Sequence, residues 1–390
     1  MNFDTLSLFT LRTRIYWGYG GTDTTGAEAA KLGITKALIV TDKGIQAAGI
    51  MEPLLKSLNS SKISYEIFGD VPEDPTTVTV DQGVSLLKQA NANGVIIIGG
   101  GSPLCAGKGI ALIATNGGNI RDYAGIEKYN VPPLPVIAIP TTAGSGSEVS
   151  ATYLISDKTQ PFSKFVVSGY LCFPDVAILD PMLLRSLPPY QFIISGIDAL
   201  THALDALWTN QGTPMTDALA YEAIKMIMDN LLTAAYSDNL EAKSNQLFAS
   251  AMANIACGNA RLGLLHAATQ FFGKYNLSHG LANAIFLPYV MEYNLPACER
   301  KLAIMADVTC VAKPGMSLFE KATASLDAIK ELLTKAGLPD RVPENTIIKS
   351  EINELAAQSI KLPQASTFNI RRTTQKDLVA LYERSFLGWR

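Results

Sequence analysis

At 390 residues, the chain is longer than a single hydrophobic core usually supports, so its length predicts two domains. Hydrophobic residues make up 48% and charged residues only 17%, which excludes a disordered chain and favours contacts between subunits. The formal net charge of −3 is spread without blocks of like charge, which argues against nucleic acid and anionic membranes as partners.

The first residues and the cysteines indicate the compartment. The opening stretch contains Asp4 and lacks the charged start and apolar run of a signal peptide. No apolar run approaches the roughly 20 residues that cross a bilayer. The five cysteines are scattered without a Cys-x-x-Cys pair, a pattern that favours a reducing compartment over a disulfide framework. We expect a cytoplasmic protein.

Short apolar runs in the first half of the chain predict strands, and segments with helical spacing separate them. The predicted strands are Ala37–Thr41, Ile63–Phe68, Val95–Ile98, Pro135–Ile139 and Val176–Leu179. Predicted helices include Thr77–Asn91 and Pro103–Thr115. This alternation predicts a parallel sheet covered by helices on both faces, with a ligand at the carboxyl ends of the strands.

The pattern changes at the prolines near Asp180-Pro181 and Pro188-Pro189. Beyond residue 190 glycine becomes sparse, and long helix-period segments such as Asp217–Ala235 and Asn245–Ala256 replace the strands. We therefore predict an α/β domain at 1–187, followed by an all-α domain at 188–390.

The chain has three histidines, and all of them lie in the predicted helical domain. Asp198 and His202 are four residues apart and would project from one face of a helix. With His266 and His279 they offer one oxygen and three nitrogens, a set that suits Fe²⁺ or Zn²⁺, and also Mn²⁺ or Co²⁺. Spacing alone leaves an alternative open, because such an Asp–His pair is common on surface helices and His266 follows two leucines, as a core histidine would.

The segments around these residues carry more information. Gly99 to Ser102, with Lys108 after it, and the run Pro140 to Val149 are rich in glycine and hydroxyl groups. The histidines lie in three further segments, Gly196 to His202, Leu262 to His266, and His279 to Ala284 followed by Leu287-Pro288. In this order and at these separations, the segments resemble the iron-containing (group III) alcohol dehydrogenases along nearly the whole chain.

The resemblance implies that Asp198, His202, His266 and His279 bind a divalent metal, with Fe²⁺ preferred and Zn²⁺ or Mn²⁺ as alternatives. It implies a dinucleotide-binding domain at 1–187 and a metal-binding, catalytic domain at 188–390. The implied reaction is hydride transfer between NAD and a small alcohol or its aldehyde or ketone, in a homodimer or a larger homo-oligomer.

The glycines would let the backbone approach the pyrophosphate of the cofactor, and a helix starting near Ser102-Pro103 would add its positive end. Asp42 ends a predicted strand and could bond a ribose hydroxyl, which favours NAD over NADP. Capping a helix from Lys43 onward is the alternative. The predicted cofactor-binding residues are Asp42, Gly99, Gly100, Gly101, Ser102, Thr141, Thr142, Ser145 and Lys164.

Two positions depart from the family pattern. Cys105 stands where an aspartate is usual, and Gln270 stands where a second histidine is usual, four residues after His266. Because Gln270 cannot titrate near neutral pH, we predict that it orients the substrate or the nicotinamide. A helix residue near the site without a catalytic part is the alternative.

Thr152, Cys257 and Arg261 are the predicted substrate-contacting residues. Arg261 stands where a small residue is usual, five residues before His266, and could pair with the carboxylate or sulfonate of a short acidic aldehyde. An arginine that points to solvent or to another subunit is the alternative.

Two other functions remain open. One is a polyol dehydrogenase similar to glycerol dehydrogenase, and the other is an inactive metal-binding scaffold, suggested by Cys105 and Gln270. The spacing of Asp198 and His202 and the two glycine-rich segments favour the iron-containing branch.

Overall fold

The computed structural model describes residues 7–159, 164–275, 277–343 and 349–390. The described chain forms two compact units, one from Thr10–Pro188 with Asp238–Ala251, the other from Pro189–Ser237 with Met252–Arg390 and residues 7–9. The first unit contains the sheets and the second is built from helices, which confirms the predicted fold class. The predicted domains, 1–187 and 188–390, stay a prediction about which parts fold independently.

The sheets lie in the first unit. Its strands are β1 Arg14–Trp17, β2 Lys36–Val40, β3 Ser64–Phe68, β4 Gly94–Gly99, β5 Gly125–Ile126, β6 Val136–Pro140, β7 Thr152–Ser156, β8 Lys164–Ser168 and β9 Val176–Leu179. Among the described residues, strands β1, β9, β6, β4, β2 and β3 lie side by side in that order as a parallel sheet. A smaller sheet has the order β5, β8, β7.

The helices follow the strands and then fill the rest of the chain. They are α1 Thr25–Lys31, α2 Lys43–Ala48, α3 Glu52–Ser60, α4 Thr77–Ala90, α5 Gly101–Asn116, α6 Pro189–Leu207, α7 Pro214–Tyr236, α8 Leu240–Ala260, α9 Leu264–Thr269, α10 His279–Val308, α11 Leu318–Lys335, α12 Ile352–Ser359 and α13 Gln375–Arg384. None of the helices in the described parts of the chain is long and apolar enough to cross a membrane.

The central strands are buried on both faces, as their continuous apolar sequences predict. Successive side chains of a strand point to opposite faces, so Leu38 and Ile97 join one hydrophobic core while Ile39 and Ile96 join the other. Every residue of β4 is buried. Polar groups can therefore meet a ligand at the ends of these strands rather than along them.

Two elements of the first unit were not predicted. β1 is an edge strand whose end residues Arg14 and Trp17 are both exposed, so it lacks the apolar run that marks the central strands. The small sheet was missed because β7 and β8 carry polar and half-buried residues.

A close contact between α5 and β4 gives a test of the packing. A Cβ atom at Gly107 would lie 2.5 Å from two side-chain carbons of Ile97, whereas one at Gly258, on α8, would meet nothing nearer than 4.0 Å. We expect Gly107→Ala to lower the free energy of unfolding by about 1–3 kcal/mol. Gly258→Ala, the matched control, should raise it by about 0.5–1 kcal/mol, because alanine favours helix. Denaturation midpoints measure both, and equal effects of the two variants would contradict this account.

Close approaches also organise the helical unit. A Cβ atom at Gly280, in the first turn of α10, would lie 2.4 Å from the side chain of Ile194 on α6. A Cβ atom at Gly263, the residue before α9, would lie 2.8 Å from the carboxylate of Asp205 on α6. Glycine at these two positions lets the first turns of α9 and α10 approach the same helix.

Candidate metal centre and cofactor-binding edge

Helix α6 supplies the first two predicted metal ligands. Asp198 and His202 lie one turn apart on it, with nearly buried side chains, and Asp198 Oδ2 is 4.0 Å from His202 Nδ1. The other two come from the first turns of the helices that approach α6. His266 lies in α9 and is buried, whereas His279 begins α10 and its side chain is 39% exposed.

The four predicted ligands are brought together. Donor atoms of Asp198, His202 and His266 all lie within 4.8 Å of one another. The rings of His202 and His266 stack with centroids 4.7 Å apart, and the His279 ring lies 5.4 Å from that of His266. His279 Nε2 is 3.7 Å from Asp198 Oδ1.

The charge state of Asp198 suits a ligand. Burial alone would raise its pKa, but the three nearby imidazoles and a hydrogen bond from Asn283 hold the pKa below its ordinary value. The carboxylate is therefore ionised at neutral pH, as metal binding requires.

Asn283, one turn along α10 from His279, shows where the lone pairs of these ligands point. Its amide nitrogen donates to Asp198 Oδ1 at 2.8 Å and lies 3.2 Å from His279 Nε2 and 3.4 Å from His266 Nε2. One carboxylate oxygen and two imidazole nitrogens thus face the same amide group. A carboxylate and three imidazoles fit a divalent transition metal, so the residues present match the predicted cation.

Asp205 contacts His266 on the ring nitrogen that faces away from Asn283. The carboxylate of Asp205, on α6, is fully buried, and its Oδ2 lies 2.7 Å from His266 Nδ1. The same oxygen accepts a hydrogen bond from the His266 backbone N–H, and Oδ1 accepts one from the indole of Trp208. Sequence reasoning missed Asp205 and Asn283. The spacing of 198, 202 and 205 on one helix face was a signal for the former.

The predicted cofactor residues lie at the carboxyl ends of neighbouring strands in the first unit. Gly99 ends β4 and pairs with Pro140, which ends β6, and the amide of Thr141 donates to the Gly99 carbonyl at 3.0 Å. A Cβ atom at Gly100 would lie 3.2 Å from Thr142. The glycine-rich loop and the second predicted segment therefore form one surface, at the edge where parallel α/β sheets bind nucleotides.

Unsatisfied hydroxyl groups at this edge fit a polar ligand. Thr41 and Thr141 follow β2 and β6, both side chains are buried, and neither hydroxyl has a hydrogen-bond partner among the described residues. Buried polar groups are nearly always bonded, so these two hydroxyls are free to bond a polar ligand or water that reaches this edge. α5 begins at Gly101 and directs the positive end of a sixteen-residue helix to the same edge.

Asp42 and Lys164 have protein partners. Asp42 Oδ1 accepts a hydrogen bond from Ile45 N and caps α2, so the capping alternative is observed. Lys164 forms an ion pair with Asp74, whose backbone N–H donates to Ser102 Oγ. Burial alone would raise the pKa of Asp74, but Lys164 and a hydrogen bond from Ser156 hold the pKa below its ordinary value. Cofactor binding by Asp42 and Lys164 stays a prediction.

Lys108 acts inside the protein. It is buried, and its ammonium group donates to the carbonyls of Ser147, Ser150 and Thr152 at 2.9–3.1 Å. Burial lowers its pKa to about 8. Lys108 thus fastens the end of the second glycine-rich segment, and the residues that follow it, to α5. Cys105, one turn earlier, packs against the hydrophobic core.

The remaining predicted residues are spread over both units. Thr152 lies in β7 and shares a hydrogen bond with Ser168 Oγ. Cys257 is buried on α8, where burial raises the pKa of its thiol. Arg261 is exposed between α8 and α9 with a φ of 71°, and Gln270 is half-buried at the end of α9. Substrate contact and catalysis by these residues stay predictions.

A parallel sheet with a glycine-rich edge and a helical unit with a carboxylate–imidazole cluster define the class of metal-dependent dehydrogenases with a nucleotide-binding domain. Residues 12–181 match the family described as iron-containing alcohol dehydrogenase, and residues 192–386 match the C-terminal part of the Fe-containing alcohol dehydrogenase family. The chain belongs to this family.

Relatives match over nearly their full lengths. The 1,3-propanediol dehydrogenase of Klebsiella pneumoniae is 34% identical over 95% of this chain and 96% of its own. The NAD-dependent methanol dehydrogenase of Bacillus methanolicus is 33% identical over 94% and 97%. A crystal structure of 1,3-propanediol oxidoreductase superposes with a TM-score of 0.94 at 33% identity, covering 98% of this chain and 100% of the other. The predicted class, an alcohol dehydrogenase that uses NAD and a divalent metal, is confirmed.

Proposed function

We propose that this protein interconverts a short-chain alcohol and its aldehyde or ketone with NAD, using a divalent metal held by Asp198, His202, His266 and His279. The convergence of these four side chains carries the proposal. The relatives named for propanediol and methanol support a small substrate. Fe²⁺ is the preferred ion, and Zn²⁺ and Mn²⁺ are the alternatives.

Different residues would bind the metal, bind the cofactor and orient the substrate. A cation held by these four side chains would polarise the substrate oxygen, and NAD held at the glycine-rich loop would exchange the hydride. Ionised Asp198 supplies the negative charge of the ligand set. The amides at Gly99 to Gly101 and the end of α5 bind the cofactor's pyrophosphate, while Gln270 orients the substrate or the nicotinamide.

Removal of one ligand tests the metal site. His279 is the most exposed of the three histidines, so His279→Ala should fold normally. We expect it to lose bound metal and nearly all activity, a fall of roughly 100-fold or more, because a direct ligand matters at least as much as the groups that orient one. Metal content is measured after dialysis, and NADH oxidation is measured anaerobically with Fe²⁺ and a panel of aldehydes.

Wild-type protein stripped with a chelator is the control, and it should match the variant in activity and melting temperature. A variant with full activity and unchanged metal content would overturn the ligand set. A wild-type protein that holds metal but reacts with no alcohol or aldehyde would favour the inactive scaffold instead.

Asp42 tests the choice of cofactor. If its carboxylate faces the ribose, Asp42→Asn should raise the ratio of kcat/KM for NADPH over NADH by about tenfold, the effect of roughly 1.4 kcal/mol of repulsion. Asparagine caps a helix as well as aspartate does, so this variant removes the charge and keeps the cap. Asp42→Gly, which removes both, should shift the ratio in the same direction. An unchanged ratio in both variants would show that Asp42 only caps α2.

Arg261 tests the charge of the substrate. It lies exposed in the helical unit, five residues before His266, and we propose that it pairs with the acidic group of a short aldehyde. Arg261→Ala should then reduce kcat/KM about tenfold or more on an acidic aldehyde, since a hydrogen bond to a charged group contributes about 1.5–3 kcal/mol. A neutral aldehyde of equal length is the control and should be unaffected. Equal losses on both aldehydes would exclude the pairing.

We also propose a homodimer or larger homo-oligomer in the cytoplasm. The aromatic side chains of Trp17 and Tyr19 are more than half exposed at the end of edge strand β1, a position open to a second copy. All five cysteines, each within the described residues, carry free thiols, which fits a reducing compartment. Measurement of the mass in solution tests the assembly.

A further inference from the structure

One buried carboxylate controls how His266 presents its ring nitrogens. Asp205 is fully buried, and its Oδ2 lies 2.7 Å from His266 Nδ1. This carboxylate already accepts hydrogen bonds from the Trp208 indole and the His266 backbone N–H, so it faces Nδ1 as an acceptor and that nitrogen carries the proton. Neutral imidazole has one N–H, and the lone pair is therefore on Nε2, the nitrogen nearest to the amide of Asn283.

Independent contacts support the same proton position. Asn283 Nδ2 lies 3.4 Å from His266 Nε2 and also donates to Asp198 Oδ1; an amide nitrogen only donates, so its position fits a lone pair on Nε2. On the other side, Trp208 and the His266 backbone N–H both donate to the Asp205 carboxylate. Three donors thus fix this carboxylate with its charge directed at Nδ1.

We infer that Asp205 is a positioning residue of the metal centre, and that it sets the tautomer and orientation of His266. The inference rests on the proposed ligand set. A ligating imidazole must be neutral with its lone pair toward the cation, and a carboxylate on the opposite nitrogen holds it in that form before metal arrives. Asp205 touches neither substrate nor cofactor in this role and acts only through His266.

Asp205→Asn tests the inference at nearly constant volume. In the wild type, Trp208 donates to one carboxylate oxygen and His266 donates to the other. Asparagine has only one acceptor oxygen, so either Trp208 or His266 loses its acceptor. If the NH₂ group faces Nδ1, the imidazole proton moves to Nε2, where it blocks metal binding. We expect the Kd for Zn²⁺, measured by chelator competition, to rise roughly 10–100-fold.

Trp208→Phe is the matched control. It disturbs the same buried place and removes a donor to Asp205, but it leaves the carboxylate on His266. Its melting temperature in the metal-free state should fall at least as much as that of Asp205→Asn, while its Kd for Zn²⁺ should stay near the wild-type value. If Asp205 has only a structural role, the Kd for Zn²⁺ should instead rise in both variants in proportion to their loss of melting temperature.

The tautomer can be read directly from the wild-type protein. The chain has only three histidines, so ¹⁵N-histidine NMR of the metal-free protein gives few signals, and His266 is assigned by its loss in His266→Gln. We expect a protonated Nδ1 in the wild type and a change of tautomer or mixed forms in Asp205→Asn.

Three outcomes would overturn the inference. The inference would be wrong if His266 of the wild type were protonated on Nε2, a result that can be obtained even if Asp205→Asn fails to fold. It would also be wrong if Asp205→Asn bound Zn²⁺ with the wild-type Kd. A wild-type protein that bound no Zn²⁺, Fe²⁺ or Mn²⁺ would remove the ligand set itself, whereas unchanged binding in Asp205→Asn alone leaves that set intact.

Discussion

Acceptor atoms of Asp198, His202 and His266 converge within 4.8 Å in a buried part of the helical unit, and the rest of that unit depends on this convergence. Burying such atoms is costly unless each finds a partner. Asn283 donates a hydrogen bond to Asp198 from one side, and the carboxylate of Asp205 accepts a hydrogen bond from His266 on the other. Because these contacts join α6, α9 and α10, none of the three helices can slide without breaking one of them.

A different buried charge organises the cofactor-binding edge of the first unit. The ammonium group of Lys108 binds three backbone carbonyls between residues 147 and 152, and Glu148 is buried in the same stretch with its pKa raised by burial to about 7. The helix that starts at the glycine-rich loop therefore also holds the second glycine-rich segment in place. The loop and the segment share one surface because Lys108 joins them from inside.

The sequence predicted elements whose signal is local. Buried parallel strands read as apolar runs, so β4 and β6 were found, and the exposed edge strand β1 was not. The cluster of Asp198 with the three histidines was predictable because the chain has only three histidines, each in a family-like segment. Asn283 was missed because its part depends on a contact over 85 residues of chain, which no period reveals. Asp205 had a local signal, its helical spacing from Asp198 and His202, which was not used. Lys108 was grouped with the glycine-rich cofactor loop, but its ammonium group donates to backbone carbonyls of the protein.

Charge balance explains why two aspartates, Asp198 and Asp205, lie at the candidate metal centre. If both carboxylates are ionised, Asp198 and Asp205 contribute two negative charges beside three imidazoles, which must be neutral to act as ligands. A divalent cation in the set would bring the sum to zero, which is the least costly state for a buried site. A neutral alcohol or aldehyde can enter such a site without a counter-ion. An acidic substrate would bring one uncompensated negative charge and would need an additional cation nearby. Selectivity between neutral and acidic substrates should therefore depend on a residue such as Arg261 rather than on the metal ligands.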